Sequence, residues 1–207
     1  MTKSLSHRSI RLMAPLIAAS AFAVASVSAA PASAATPKLE LGGNHSCVML
    51  DSGKARCWGR NSFGQLGNGL MISTEVPGYV KTSYGPTLLD FSGIVDLAGG
   101  FMDNCAAMSD GTVKCWGDNT TGALGLGTAT PTYRVSPAAV SGVSGATRVA
   151  AGLYNGCAIV ASGAVKCWGN NTRGALGDNS TTNRLSAVSV TGLTNAIDIA
   201  GTEQGVH

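Results

Sequence analysis

The same phrase is written three times in this chain. A cysteine is followed ten positions on by a second cysteine, then by Trp-Gly, by Asn two residues later, and by Gly-x-Leu-Gly, over residues 47–67, 105–125 and 157–177. The signature positions are Trp58, Gly59, Asn61, Gly64, Leu66 and Gly67 in the first copy. They are Trp116, Gly117, Asn119, Gly122, Leu124 and Gly125 in the second, and Trp168, Gly169, Asn171, Gly174, Leu176 and Gly177 in the third. Such self-similarity means that one supersecondary unit stacks on its neighbours, because a single unit cannot bury its own apolar face. Successive copies start 58 and 52 residues apart, the size of a four-stranded blade or a solenoid coil. The longer first interval implies an inserted loop at about 71–90.

Each unit opens with a short apolar run that exits through glycine, as in Ile94-Val95-Asp96-Leu97-Ala98-Gly99 and Thr147-Arg148-Val149-Ala150-Ala151-Gly152. That is the pattern of a buried strand. The first cysteine lies on a second strand (46–50, 104–108, 156–160), and the second cysteine and Trp lie on a third. A polar turn such as Ser109-Asp110-Gly111 makes the pair a hairpin, and a looser fourth strand, such as 187–190, closes the unit. Two-residue alternation puts Val48, Leu50 and Trp58 on one sheet face and Cys47 and Cys57 on the other. The recurring Trp is therefore read as packing between units, with the Leu of Gly-x-Leu-Gly as its partner. The glycines are read as positions of positive φ or close backbone approach.

Lys3, His7, Arg8 and Arg11 precede a small-residue apolar run over 12–30, and Ala32-Ser33-Ala34 is a small-x-small site. Residues 1–34 thus read as a signal peptide, with cleavage after Ala29 or Ala30 as an alternative. Pro15 and the many Ala and Ser residues argue against a retained membrane span. Without Lys3, Arg8 and Arg11 the chain keeps 11 basic and 11 acidic side chains, so the net charge of +3 belongs to the leader. A neutral domain has no electrostatic footprint for nucleic acid. The expected location is secreted or in the cell envelope.

All six cysteines fall in the repeats, two per copy at equal spacing. Repetition favours one bridge per hairpin: Cys47 with Cys57, Cys105 with Cys115, Cys157 with Cys167. Facing residues on antiparallel strands lie about 4.5 to 5.5 Å apart at Cα, within disulfide reach. Zinc is disfavoured, since no Cys-x-x-Cys occurs and only His45 and His207 follow the leader.

No catalytic constellation is legible, and no cofactor is expected. His45 occupies a slot filled by Asp103 and Asn155 in the other copies, so it reads as a polar strand-start residue bonding to its adjacent turn. The glycine-rich 64–69 stretch lacks the Lys-Ser/Thr of a phosphate loop. Asp178-Asn179-Ser180 could ligate calcium, but the equivalent Asn68-Gly69-Leu70 and Leu126-Gly127-Thr128 supply few carboxylates, which disfavours it. The most individual segment is 71–90, whose Tyr79, Lys81 and Tyr84 are candidate partner-binding residues.

Trp-Gly-x-Asn-x-x-Gly-x-Leu-Gly after a hairpin resembles the regulator of chromosome condensation (RCC1) repeat, also found in bacterial alpha-tubulin-suppressor-like proteins. The resemblance covers about residues 39–193 and implies an all-β fold of four-stranded blades round an axis, usually seven to a ring. Three complete copies and the opening of a fourth then make an incomplete RCC1-type β-propeller: repeat 1 at 35–92, repeat 2 at 93–144, repeat 3 at 145–194, and a truncated start of repeat 4 at 195–207. The expectation is an exported, non-catalytic scaffold holding an extracellular protein, a fragment of a longer propeller, with self-association as a way to complete it. Eukaryotic relatives exchange nucleotide on a small GTPase, a partner an exported chain does not meet, while a secreted β-lactamase-inhibiting propeller is similar in architecture. The alternative is a cell-envelope or carbohydrate-binding module.

Overall fold

The computed structural model describes residues 36–83, 89–202 and 205–206. The expected leader and Tyr84 lie outside them. Three four-stranded sheets follow one another along the chain, each a meander in sequence order with every pairing antiparallel. The first blade holds β1 (Lys38–Leu41), β2 (His45–Met49), β3 (Ala55–Gly59) and β4 (Thr74–Tyr79). The second holds β5 (Ile94–Gly99), β6 (Asp103–Met108), β7 (Val113–Asp118) and β8 (Tyr133–Ala139). The third holds β9 (Ala146–Ala151), β10 (Asn155–Val160), β11 (Val165–Gly169) and β12 (Arg184–Ser189). Where a fourth unit would open, only the short pair β13 (Gly201–Thr202) and β14 (Gly205–Val206) forms. Among the described residues there is no helix.

The central hairpin of each blade is set by its turn. Gly53, Gly111 and Gly163 hold φ of +67°, +78° and +73°, a region open to glycine and strained for other residues. Their carbonyls then accept the chain of the following unit: Ile94 N–H donates to Gly53 O, Ala146 N–H to Gly111 O, and Ala196 N–H to Gly163 O, at 3.0, 2.9 and 2.9 Å. One turn residue therefore closes a hairpin and positions the next unit.

The register places the cysteines opposite one another in all three hairpins. All three expected disulfides are formed, with Cα separations of 4.1, 4.1 and 4.0 Å, tighter than the sequence argument assumed. Among the described residues no cysteine is free. The bridges lie on the buried face that also carries Met49 and Ala55, and the tryptophans take the opposite face.

The apolar core is made between sheets. Leu66 of the first blade shares a cluster with Leu97 and Trp116 of the second, and Leu124 of the second shares one with Val149 and Trp168 of the third. The Leu partner of each Trp thus belongs to the preceding blade.

One expectation is corrected. The segment 71–90 is not an inserted loop throughout, because Thr74–Tyr79 is the fourth strand of the first blade, paired through Gly59↔Thr74 as Gly169 pairs with Arg184 in the third. The extra residues fall after β4, where Lys81 bridges back to Asp90. Strand placement follows the signature Asn described below, Asn61 in the first blade, which fixes the path into the fourth strand of each blade. Replacing Cys105 and Cys115 together by alanine is expected to lower unfolding free energy by about 2 to 3 kcal/mol, the loop-closure value for so short a span. Urea titration of the double variant against the parent measures it.

Candidate functional site

The signature residues form a clasp between blades and a hub within each blade. In the clasp, Trp116 and Trp168 are fully buried. Trp116 Nε1–H donates to Gln65 O at 2.9 Å and Trp168 Nε1–H to Ala123 O at 2.9 Å, in each case the carbonyl just before the signature Leu of the preceding blade. A buried indole needs such an acceptor, because an unpaired N–H in an apolar interior costs free energy. Glycine follows that Leu for a steric reason. A Cβ on Gly67 would lie 2.8 Å from Trp116 Nε1, and one on Gly125 would lie 2.7 Å from Trp168 Cδ1. Lower on the same interface, Gly69 N–H donates to Val135 O and Gly127 N–H to Leu185 O, at 2.9 and 2.6 Å.

The hub is the signature Asn, fully buried in all three copies. Its side-chain oxygen accepts from the Leu N–H: Leu66 to Asn61 at 2.9 Å, Leu124 to Asn119 at 3.2 Å and Leu176 to Asn171 at 2.9 Å. Its amide nitrogen reaches outward to carbonyls of the loop leading to the fourth strand. Those carbonyls are Leu70 and Ile72, Thr128 and Pro131, and Ser180 and Thr182. An amide that donates and accepts at once suits this place, and neither Asp nor Leu replaces it. In the third blade Asp178 joins in, accepting from Asn171 Nδ2 at 2.9 Å, Ser180 Oγ at 2.8 Å and Arg184 Nε at 2.6 Å. Bonds from Ser180, Arg184 and Asn171 hold its carboxyl down to a pKa of about 2. Asp178 therefore has structural partners in the place where calcium was weighed.

In the first blade the hub holds Leu70 and Ile72 through their backbone carbonyls, and their side chains are left outward. Leu70, Met71 and Ile72 are 49, 42 and 70 % exposed, an apolar tip where the other blades carry Thr128-Ala129-Thr130 and Ser180-Thr181-Thr182. Sequence reasoning singled out Tyr79 and Lys81 in this region instead. The structure engages both inside the blade. The Arg56 guanidinium lies 4.2 Å from the Tyr79 ring centre, and Lys81 Nζ pairs with Asp90 Oδ1 at 2.7 Å, with Lys54 on the other oxygen at 3.1 Å.

His45, Asp103 and Asn155 are all buried. His45 does not bond to its own turn: its Nε2 lies 2.8 Å from Asn104 Nδ2 of the second blade, which also donates to Gln65 O at 2.7 Å. Burial holds its imidazole below the usual histidine range. Burial, helped by the charge of Asp118, pushes the Asp103 carboxyl well above the usual carboxylate range. Among the described residues no group of three His, Cys, Asp or Glu is placed to hold a metal ion.

Disulfide-bridged meander blades that clasp their neighbours through tryptophan define a β-propeller repeat protein. Two repeat profiles, both described as regulator of chromosome condensation (RCC1) repeat, match the chain, one over 38–65 and 146–175 and the other over 52–100 and 110–159. The chain belongs to the RCC1-repeat family. It is 34 % identical over 154 residues to mouse "Probable E3 ubiquitin-protein ligase HERC4", covering 73 % of this chain and 14 % of that protein. It is 33 % identical over 141 residues to human "Probable E3 ubiquitin-protein ligase HERC6", covering 65 % and 13 %. Among solved structures it resembles Prp20p of Saccharomyces cerevisiae, with TM-score 0.64, 19 % identity and coverage of 82 % and 42 %. It also resembles human WBSCR16, with TM-score 0.57, 19 % identity and coverage of 81 % and 56 %. The chain therefore spans a small part of the curated relatives and about half of these propellers.

Two outcomes test the assignments. Asn119→Ala, which strands the Leu124 N–H and two loop carbonyls, is expected to cost about 2 to 4 kcal/mol in urea unfolding. Asn119→Asp keeps the acceptor but sets an anion against Thr128 O and Pro131 O, and is expected to be no better. For Asp103, the folded pKa lies above the unfolded one. Its contribution is complete in acid and falls away as pH rises through the ordinary carboxylate range toward the raised pKa. Asp103→Asn, which copies the third blade, is expected to flatten that loss. Thermal melts from pH 4 to 8 should show the variant gaining on the parent as pH rises.

Proposed function

We propose that this chain is an exported, non-catalytic arc of a larger propeller whose rim loops hold another extracellular protein. The observation that carries the reading is the division of labour in the loops. Buried Asn61, Asn119 and Asn171 fix each loop through its backbone carbonyls, so side chains that the hub does not bond, such as Leu70, Met71 and Ile72, vary without disturbing the blade. Pre-organised loops lose little freedom on binding, which favours recognition. The first loop carries the exposed apolar tip Leu70-Met71-Ile72, the kind of anchor that interfaces use. Tyr79 and Lys81 are engaged within the blade, by Arg56 and Asp90.

Support for export comes from the three disulfides, which suit an oxidising compartment, and from the basic-then-apolar leader. Support for an arc comes from the coverage of the solved propellers, 42 % of one and 56 % of the other. Support for a non-catalytic role comes from the signature residues themselves, whose polar atoms serve the clasp and the hub.

The experiment is a paired capture: immobilised protein challenged with secreted proteins, and with purified cell-wall polymer. The expected result is saturable protein capture that Leu70→Ser with Ile72→Ser abolishes while the melting temperature stays within a degree or so of the parent, as for other exposed sites. Capture of polymer alone, or protein capture indifferent to those substitutions, would overturn the reading in favour of the envelope module.

A further inference from the structure

The chain carries two halves of the inter-blade clasp that are not joined to each other. At one end is the socket. A Cβ on Gly177 would meet only Val190, where Gly67 and Gly125 meet an indole, and among the described residues neither Ala175 O nor Asn179 N–H has a hydrogen-bond partner. Those groups correspond to the Gln65 and Ala123 carbonyls and to the Gly69 and Gly127 amides of the filled clasps. The site is an apolar cleft of about 360 Å³ floored by Leu176, Val190 and the Cys157–Cys167 bridge, with Leu193 standing where Phe91 meets the Trp116 ring edge-on.

At the other end is the plug. Trp58 is only partly buried, and among the described residues its indole N–H has no acceptor. Its face opens on a groove with Thr74, Glu75 and Val76, and Val76, Leu39 and Leu41 are exposed. By register Glu75 stands where Val135 and Leu185 stand, the two residues whose carbonyls take the lower bond of the clasp.

We propose that the socket of one copy accepts the Trp58 blade of a second copy of this chain, head to tail. Trp58 Nε1–H then donates to Ala175 O, and Asn179 N–H donates to Glu75 O. The contact repeats the two already present inside the chain, so no new chemistry is required. It is heterologous, and each copy that docks leaves one plug and one socket for another.

Residues 195–200 decide how readily this happens. Ile199 occupies the position of Leu97 and Val149, and therefore also the position that Leu39 of the incoming blade must take. This segment is a weak cover. It forms no strand, Ile197 is 89 % exposed, and of its apolar side chains Ala196 and Ile199 pack on the third-blade cluster. The incoming Lys38–Leu41 strand displaces it, so residues 195–200 act as a competitor that restrains assembly.

The proposal does not depend on the rim reading, and its test is separate. Sedimentation velocity of the oxidised protein, expressed from the full chain, should show concentration-dependent association. Trp58→Ala and Leu193→Asp, both at partly exposed positions, should each weaken it about tenfold or more, as loss of a buried aromatic anchor does. Mixing the two variants should restore one contact, since the first keeps the socket and the second keeps the plug, and the mixture should stop at dimers. A chain ending at Thr194 should associate more strongly than the parent. A parent that stays monomeric up to near-millimolar concentration would overturn the proposal. So would association indifferent to both substitutions, or a mixture that fails to pair.

Discussion

The indole N–H of the signature tryptophan ties neighbouring blades together inside their apolar interface, where the backbone bonds at Gly53–Ile94 and Gly69–Val135 reinforce it. A meander blade presents two apolar faces, and two such faces can slide over one another with little change in buried area. The bond from Trp116 to Gln65 O, and from Trp168 to Ala123 O, removes that freedom. The glycine beneath each indole lets the ring approach the backbone, and the preceding Leu fills the space beside it. Truncating such a ring to alanine costs about 3 to 5 kcal/mol, a large share of the stability of a domain this size.

The disulfides and the asparagine hub work inside the blade, and their effect is to separate framework from surface. Each bridge ties the central hairpin on the face turned away from its own blade's tryptophan, and so forms part of the apolar surface that receives the tryptophan of the next blade. Each Asn then fixes a loop chiefly by its carbonyls, with side-chain bonds to Asn68 in the first blade and to Asp178 and Ser180 in the third. Leu70-Met71-Ile72, Thr128-Ala129-Thr130 and Ser180-Thr181-Thr182 are anchored alike at their first carbonyl, yet the first loop shares no residue with the other two, which is what allows a repeat to diversify its rim.

The blade was legible because its constraints fall on side chains. Equal cysteine spacing and facing register announced the three bridges, and the recurring Trp and Leu announced inter-unit packing. What escaped the sequence has backbone atoms as partners. Nothing in Gln65 or Ala123 marks their carbonyls as acceptors for residues 51 and 45 positions away. His45 was assigned to its own turn for a different reason: its partner is the side chain of Asn104, 59 positions on in the next blade. The strand Thr74–Tyr79 hid inside an expected loop because its burial does not alternate, as an outer strand on the first blade leaves most of it in water. The exposed tip at Leu70 was visible only as composition until Asn61 showed why it stands outward.

Hydrogen exchange of the three indole N–H protons, followed by NMR on dilute oxidised protein, bears on the clasp most directly. The account predicts two slowly exchanging resonances, from Trp116 and Trp168, protected nearly as well as the core strands, and one fast resonance from Trp58. Three indoles exchanging alike, or a fast Trp116, would contradict it, because the bond said to hold the blades in register would then be open to water.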